Sequence, residues 1–358
     1  MIIGRYLLGE VLRTFAAVLA VLLVVFLSHR FVHYLADAAS GAFPGELIFR
    51  MLVLKVVTVL PVLAPFAAYM GVLLVLGRWR SDREMVALAS AGGGPWTVLR
   101  PLAGLASMLA VVVAVLALYL SPRAAAFGYE LRRQAQSITD FSAVAAGRFV
   151  ESASGRWVLY AEGYSEPQHA LVNVFARGLR RGGEDLFAAE RASVTADNDT
   201  GRRWLVTGSG YRYIGSPGRA DYWVVKYGRQ AVALEAAPVR PSFTRRDALP
   251  TKVLLKSRQA REHAELQWRL SMPLSVLVLV ALGGGLSSGR GRSGRAMGLL
   301  VAVLVYAIYY NTLALARSWV EQGVMPVWAG HWPVHGVVAF GTAVLLWRNV
   351  HAGRWPGP

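Results

Sequence analysis

Two stretches in the first third of the chain, Val56–Gly77 and Pro101–Pro122, contain no Asp, Glu, Lys or Arg. Each is long enough to cross a bilayer as a helix, for which roughly 20 residues suffice. Hydrocarbon offers no partner to backbone N–H and C=O groups, so charge-free runs of this length have few folds open to them besides the membrane-spanning helix. Between them lies Gly77–Gly94, GRWRSDREMVALASAGGG. Ser81 or Asp82 can cap a helix there, Arg83 and Glu84 head it, and Met85, Leu88 and Ala89 recur at helical spacing. Gly92–Gly94 and Pro95 stop it. A short amphipathic helix pinned between two spans, at about 80–94, suits a part pushed from outside the membrane by a partner, a coupling helix. The alternative is a solvated loop with a fortuitous apolar stripe.

The remaining spans follow from the same pattern. Span one covers about Val11–Phe31. Span two starts near Ile48, carries Lys55 in its first turns and is bent or broken by Pro61 and Pro65. Span three is Pro101–Leu120, and spans four to six fall at about Leu270–Ser288, Ala296–Ala316 and Val324–Trp347. The expected fold is an α-helical membrane protein with six transmembrane helices, three in residues 1–122 and three in 270–358, around an insert at 123–269. The insert opens with a helical stretch, Ala124–Ser137. From Gly147 on, eight short runs rich in Val, Tyr, Trp and Phe read as strands: RFVE, RWVLYAEG, ALVNVFARG, EDLFAAERASVTA, RRWLVTGSG, YRYIG, DYWVVKYG and QAVALEA. They suggest an all-β sandwich or jelly roll. Leu249–Arg269, polar and helical in pattern, leads back to the membrane.

With 55% hydrophobic residues in 358 and no cysteine, the chain has neither a disulfide framework nor a thiolate site. Its formal charge of +17 is nearly all arginine and much of it flanks spans, with no nucleic-acid-binding motif, so no nucleic-acid partner is expected. Eleven arginines lie on one side of the spans, at 5, 13, 78, 80, 83, 100, 290, 292, 295, 348 and 354, against Arg30, Arg50, Lys55 and Arg317 on the other. The positive-inside rule then places both termini and the coupling helix in the cytoplasm and the large insert outside. The apolar run after Arg13 is long and lacks a small-x-small cleavage site, so it reads as a span and not a cleaved signal.

No GxxxxGK[ST] sequence occurs, and the glycine runs at Gly92–Gly94, Gly283–Gly285 and Gly289–Arg295 lack the context of a phosphate cradle. The glycines of span four fit close helix contact instead. ATP hydrolysis must then lie in a separate subunit, with Glu84 as the candidate ion-pair partner of that subunit, or else a surface carboxylate paired with Arg80 or Arg83. His331 and His335 are four apart with Pro333 between them, and fit the outer membrane boundary beside Trp328 and Trp332 better than a metal site. No catalytic residue and no metal ligand set is found. His29, Arg30 and His33, with Lys55, lie near the outer ends of spans one and two. They either anchor the helices or, facing a cavity, bind an anionic headgroup.

Four blocks carry a resemblance that covers nearly the whole chain: IIGRYLLGEVLRTF, GRWRSDREMVALASAG, the GRF at Gly147–Phe149, and AELQWRLSMPLSVLVLVALGGGLS. With the order of three spans, a β-rich domain and three spans, the sequence resembles the LptF/LptG family of lipopolysaccharide export permeases. The opening block and ELQWRL resemble its F-type more than its G-type members. The resemblance implies a subunit that pairs with an LptG-like permease around a cavity open to the outer leaflet of the bacterial inner membrane. It further implies two LptB-like ATPases, which hold ATP and magnesium, gripping one coupling helix each, and no cofactor on this chain. Glu84 falls on the family's coupling-helix glutamate, flanked here by Arg80 and Arg83. Arg30 falls on a basic position used against lipid A phosphates, and His33 stands where the family usually has Arg; Lys55 joins them as a candidate. The periplasmic jelly roll would receive acyl chains and pass lipopolysaccharide to an LptC-like bridge protein docked as added strands.

Overall fold

The computed structural model describes residues 2–39, 45–138, 147, 149–151, 157–165, 170–180, 183–196, 203–215, 222–234, 246–287 and 295–351. Backbone contacts divide the chain into a helical unit (Met1–Val32, Phe49–Tyr129, Thr244–Pro358) and a second unit (His33–Ile48, Glu130–Phe243) that holds the β-sheet. The expected loop Arg290 and Arg292 lie outside the described residues.

The helices are α1 (Ile2–Ala39), α2 (Ile48–Ser81), α3 (Glu84–Ser90), α4 (Trp96–Val115), α5 (Ser121–Ile138), α6 (Thr251–Lys256), α7 (Ala260–Ser287), α8 (Arg295–Glu321) and α9 (Trp332–His351). Among the described residues, five stretches are long and apolar enough to cross a membrane: Ile2–Ala36, Gly45–Ser81, Trp96–Arg132, Ala260–Ser287 and Leu299–Glu321. The sixth helix differs from expectation. Residues 324–331 are turns, not helix, because Gly323 (φ 76°) and Gly330 (φ 38°) adopt left-handed backbone around Pro326. α9 therefore starts only at Trp332, and its 20 residues include His335, Arg348 and Asn349.

Of the two alternatives at Pro61 and Pro65, the break does not occur: α2 is a single element from Ile48 to Ser81. Pro95 does not stop the coupling segment: it occupies the N-cap of α4, where its missing N–H costs nothing. Span three starts at Trp96 and continues through a π-helical turn, Leu116–Leu120, into α5, with Pro101 in its first turns.

α7 is the centre of the helical unit, packed against α4, α6, α8 and α9. One apolar cluster joins Leu7 and Val11 of α1, Val72 and Leu76 of α2, Val98 and Leu102 of α4, and Met272 and Val276 of α7. The glycines of α7 explain how so many helices reach it. A Cβ on Gly283 would lie 3.3 Å from Val72, one on Gly284 would lie 3.7 Å from Leu99, and one on Gly285 would lie 3.5 Å from Leu345. Three consecutive small positions thus face α2, α4 and α9 in turn, as a 100° step per residue requires.

In the β unit all eight expected strands form: β1 (Phe149–Glu151), β2 (Trp157–Ser165), β3 (Ala170–Arg180), β4 (Gly183–Ala196), β5 (Arg203–Thr207), β6 (Gly210–Gly215), β7 (Trp223–Tyr227) and β8 (Gln230–Leu234). Every pairing is antiparallel, in the order β1-β2-β3-β4-β5-β8. The long β4 forks the sheet: Glu184–Ala189 pairs with β6, which pairs with β7, while Ala192–Ala196 pairs with β5. Alternation gives the sheet its inner face, where Leu159, Ala161, Leu171, Val174, Ala192 and Leu205 form the core. The insert is thus an antiparallel all-β region of jelly-roll-like character inside a helical membrane protein.

Candidate functional site

The segment between α2 and α4 is built around α3. Met85 and Ala89 are buried, Leu88 packs beside them against the core cluster, and Val86, Ala87 and Ser90 are exposed. The helix starts differently from expectation. Neither Ser81 nor Asp82 caps it; Arg83 is the N-cap, in left-handed backbone (φ 59°) and with no side-chain cap. Ser81 Oγ instead donates to Gly77 O within α2 (3.1 Å), and the Asp82 carboxylate lies 3.8 Å from Arg78 Nε. A Schellman arrangement closes the C-terminus: Gly93 N donates to Leu88 O and Gly92 N to Ala89 O, both at 2.9 Å, with Gly92 at φ 78°. A Cβ on Gly93 would meet Leu88 Cδ1 at 2.6 Å, so that position admits glycine alone without rearrangement.

Glu84 lies on the rim of α3, partly exposed, 3.9 Å from Arg78 Nη2. Its cationic neighbour is thus Arg78, an arginine that spacing along the chain did not single out. The same guanidinium donates to Glu10 Oε1 of α1, whose other oxygen accepts from Trp79 Nε1 at 2.7 Å, and Tyr6 stacks on Trp79 at 5.7 Å between ring centroids. Glu10 therefore ties the first helix to the root of the coupling segment. It was missed because its partners lie almost seventy residues away, although it stands in the opening block. Arg83 is exposed. Arg80 is half-buried and donates to Ser287 O at the end of α7.

At the far end of α1, Arg30 is half-buried, with its guanidinium 5.5 Å from the Phe26 ring and its Nε buried without a hydrogen-bond partner. Lys55 is half-buried on α2 and His33, one turn beyond Arg30 in sequence, is exposed. A guanidinium donor held out of water with no acceptor is a group that an anionic oxygen would satisfy.

His331, just before α9, and His335, in its first turn, have partners that their spacing did not show. Trp328 and Trp332 are exposed, as a membrane-interface belt requires, but His331 and His335 are buried. His331 Nδ1 and its backbone N face Gln267 Oε1 at 3.2 and 3.3 Å. His335 bridges Ser271 Oγ (3.0 Å) and Tyr309 OH (2.7 Å), and Tyr309 meets Ser275 Oγ at 2.9 Å. Gln267, Ser271 and Ser275 recur every four residues, so one stripe of α7 is a polar seam facing α8 and α9.

Residues 5–348 match the family described as lipopolysaccharide export system permease LptF/LptG. The chain belongs to the LptF/LptG permease family. It is similar to the lipopolysaccharide export system permease protein LptF of Escherichia coli K12 and to the protein of the same name from Shigella flexneri. Each is 26% identical over 365 aligned positions, covering 99% of this chain and 97% of the relative. An LptF/LptG permease is a multi-pass inner-membrane transporter subunit, in keeping with the apolar helices. The fourth block of the resemblance, in its stretch AELQWRLSMPLS, supplies the polar seam and, through Glu265 and Arg269, a buried ion pair on α7.

Proposed function

We propose that this chain is the F-type permease subunit of a lipopolysaccharide exporter, drawing lipopolysaccharide from the outer leaflet of the inner membrane and passing it through its β-domain. Membership of the LptF/LptG family over residues 5–348 carries the reading. A lipid with several acyl chains is held in its leaflet by about 0.8 kcal/mol per CH₂, so its removal needs both an apolar receiving surface and an outside source of work. The receiving surface lies in the β-domain. Work enters through α3, pushed by one of two LptB-like ATPases that carry ATP and magnesium, with Glu84 and Arg83 on its outer rim and Arg80 linking the segment to α7.

An LptG-like subunit completes the cavity against α1 and α8. These are the least covered spans, with 6% and 22% of their apolar windows buried against 56% and 61% for α2 and α7. Arg30, with His33 one turn on and Lys55 on α2, takes the lipid phosphates. An LptC-like bridge adds to a sheet edge; β7, which pairs only with β6 among the described strands, offers exposed Trp223, Val224 and Val225. Both termini and α3 face the cytoplasm and the β-domain the periplasm.

The deciding experiment places a photo-crosslinking residue at Phe31, which is 44% exposed beside Arg30, in cells that express the whole complex. A lipopolysaccharide adduct that weakens with Arg30→Ala is the expected result. Adducts to phospholipid or protein alone would return Arg30 and His33 to the role of membrane anchors.

A further inference from the structure

At the α3 end of the bundle, α4 and α9 pack on either side of α7 and leave a groove of about 450 Å³, within the roughly 300–1,000 Å³ typical of small-molecule sites. Its floor is α7, where Leu277, Ala281 and Gly284 line it, and its wall on α4 runs from Trp96 to Ser107. Those eleven steps rise about 16 Å at 1.5 Å each, close to half of a hydrocarbon core about 30 Å thick. The groove is thus one leaflet deep. At its mouth stand two exposed indoles, Trp96 and Trp347, with the His351 ring tilted against Trp347 at 5.1 Å between centroids. Indoles in this position mark the headgroup level of a bilayer. Arg100 lies on the same stripe of α4, between Trp96 and Ala103, and Arg348 adjoins Trp347; both are exposed. No carboxylate occurs in 95–115, 267–287 or 332–351, so the three helices that form the groove bring charge of one sign to it.

We propose that this groove is a binding site for an anionic glycerophospholipid of the membrane, one acyl chain lying along α7 and the phosphate held between Arg100 and Arg348. The one sign of charge on these three helices selects an anion over a zwitterion, and the leaflet-deep apolar floor selects a chain over a soluble phosphate. The site lies in the helical unit alone and takes no part in the transport path proposed above; only the naming of its leaflet as cytoplasmic rests on that reading. It would hold α4, α7 and α9 together beside the coupling segment, where a rigid root serves α3.

The test uses the co-expressed full complex in nanodiscs of mixed phosphatidylglycerol and phosphatidylcholine with added lipopolysaccharide. A photo-crosslinking residue is placed at Ala103 in the groove, and in a parallel variant at Val111, which is 64% exposed two turns along α4. The expected result is a phosphatidylglycerol-to-phosphatidylcholine adduct ratio at Ala103 well above that of the disc, and a ratio at Val111 equal to it. Arg100→Ala and Arg348→Ala should each lower the ratio at Ala103 about fivefold, the worth of one cation at an anionic surface. Ala281→Phe, which fills the floor, should abolish the Ala103 adduct while the complex still co-purifies. A ratio at Ala103 that follows the disc, a lipopolysaccharide adduct there, or labelling at Val111 alone would overturn the proposal. A chain that exports no lipopolysaccharide still gives this readout, so the two readings fail separately.

Discussion

Arg269 Nε donates to Glu265 Oε1 at 2.9 Å one turn earlier on α7, and both side chains are about 5% exposed. The other Glu265 oxygen accepts from Arg317 Nη2 of α8 (2.8 Å), and Arg317 in turn reaches Glu321 (3.0 Å), which pairs with Arg246 (3.1 Å). Arg269 closes the ring by donating to the carbonyls of Arg246, Asp247 and Leu249. One guanidinium thus satisfies three backbone acceptors where the chain returns to the helical unit. Breaking such a pair leaves a buried charge uncompensated, at a cost of about 3–5 kcal/mol. Arg269→Ala is therefore expected to abolish recovery of folded complex. Glu265→Gln, which keeps hydrogen bonding, is expected to lower its thermal midpoint without preventing assembly. Size-exclusion yield and a thermal-shift assay on the two variants check this.

Glu84 and Glu10 separate coupling from stability. The Glu84–Arg78 contact is long and partly exposed, so Glu84→Ala should change folding stability by less than about 1 kcal/mol while reducing lipopolysaccharide release driven by ATP. Glu10 serves two donors on α2, and Glu10→Ala should destabilise the complex by about 1–3 kcal/mol. Thermal midpoints and an ATP-dependent release assay on both variants give the comparison. Equal loss of stability in the two would remove the special role of α3's rim.

Period and composition were enough to read the first five spans and all eight strands, because charge-free runs and β-rich runs cut by Gly, Pro and Asn each have one dominant outcome; the start of the sixth helix was set too early, since Gly323 and Gly330 take left-handed backbone. Their partners were less legible. Nothing local to Glu10 points to Arg78 and Trp79, and nothing local to His331 tells a membrane-belt position from one facing Gln267. Burial of a polar residue depends on which stripe of a helix meets another helix, and that is set by the whole bundle. The N-cap of α3 was misread because Ser81 and Asp82 are good caps in isolation, yet α2 continues through the first and ion pairing with Arg78 takes the second. For Arg30, sequence located the cation; its buried, unpartnered Nε is visible only in three dimensions.

Close approach at Gly71 and Gly283 yields a packing prediction. A Cβ at Gly71 would lie 3.2 Å from Phe15 N and 3.3 Å from Val11 O, which are backbone atoms of α1 that cannot rotate away. One at Gly283 would meet Val72 and Tyr69 at 3.3–3.4 Å. Gly71→Val should therefore separate α1 from α2 and cost about 1–3 kcal/mol, the usual range for overpacking. Gly104→Ala, with nothing within 4 Å of its Cβ, should be neutral or slightly stabilising. Thermal unfolding of the reconstituted complex compares the two variants with wild type.

The sheet carries a pH-dependent contact that can be followed apart from the membrane helices. Arg177 Nε donates to Glu184 Oε2 at 3.0 Å and its Nη2 to the other oxygen, a two-point clasp across the β3–β4 hairpin. The hydrogen bonds from Arg177 hold the Glu184 carboxyl below its ordinary value. A carboxyl whose folded pKa lies below its unfolded one stabilises the fold when ionised. That contribution is complete above the unfolded value of about 4.3 and is lost as pH falls through the lower folded one. Wild type and Glu184→Gln should thus differ in β-domain stability at neutral pH and converge in acid below that range. Hydrogen exchange at the β3–β4 amides, run on the full chain at both pH values, measures the difference. A gap between wild type and variant that stayed constant with pH would show that the glutamate acts there through packing and not through charge.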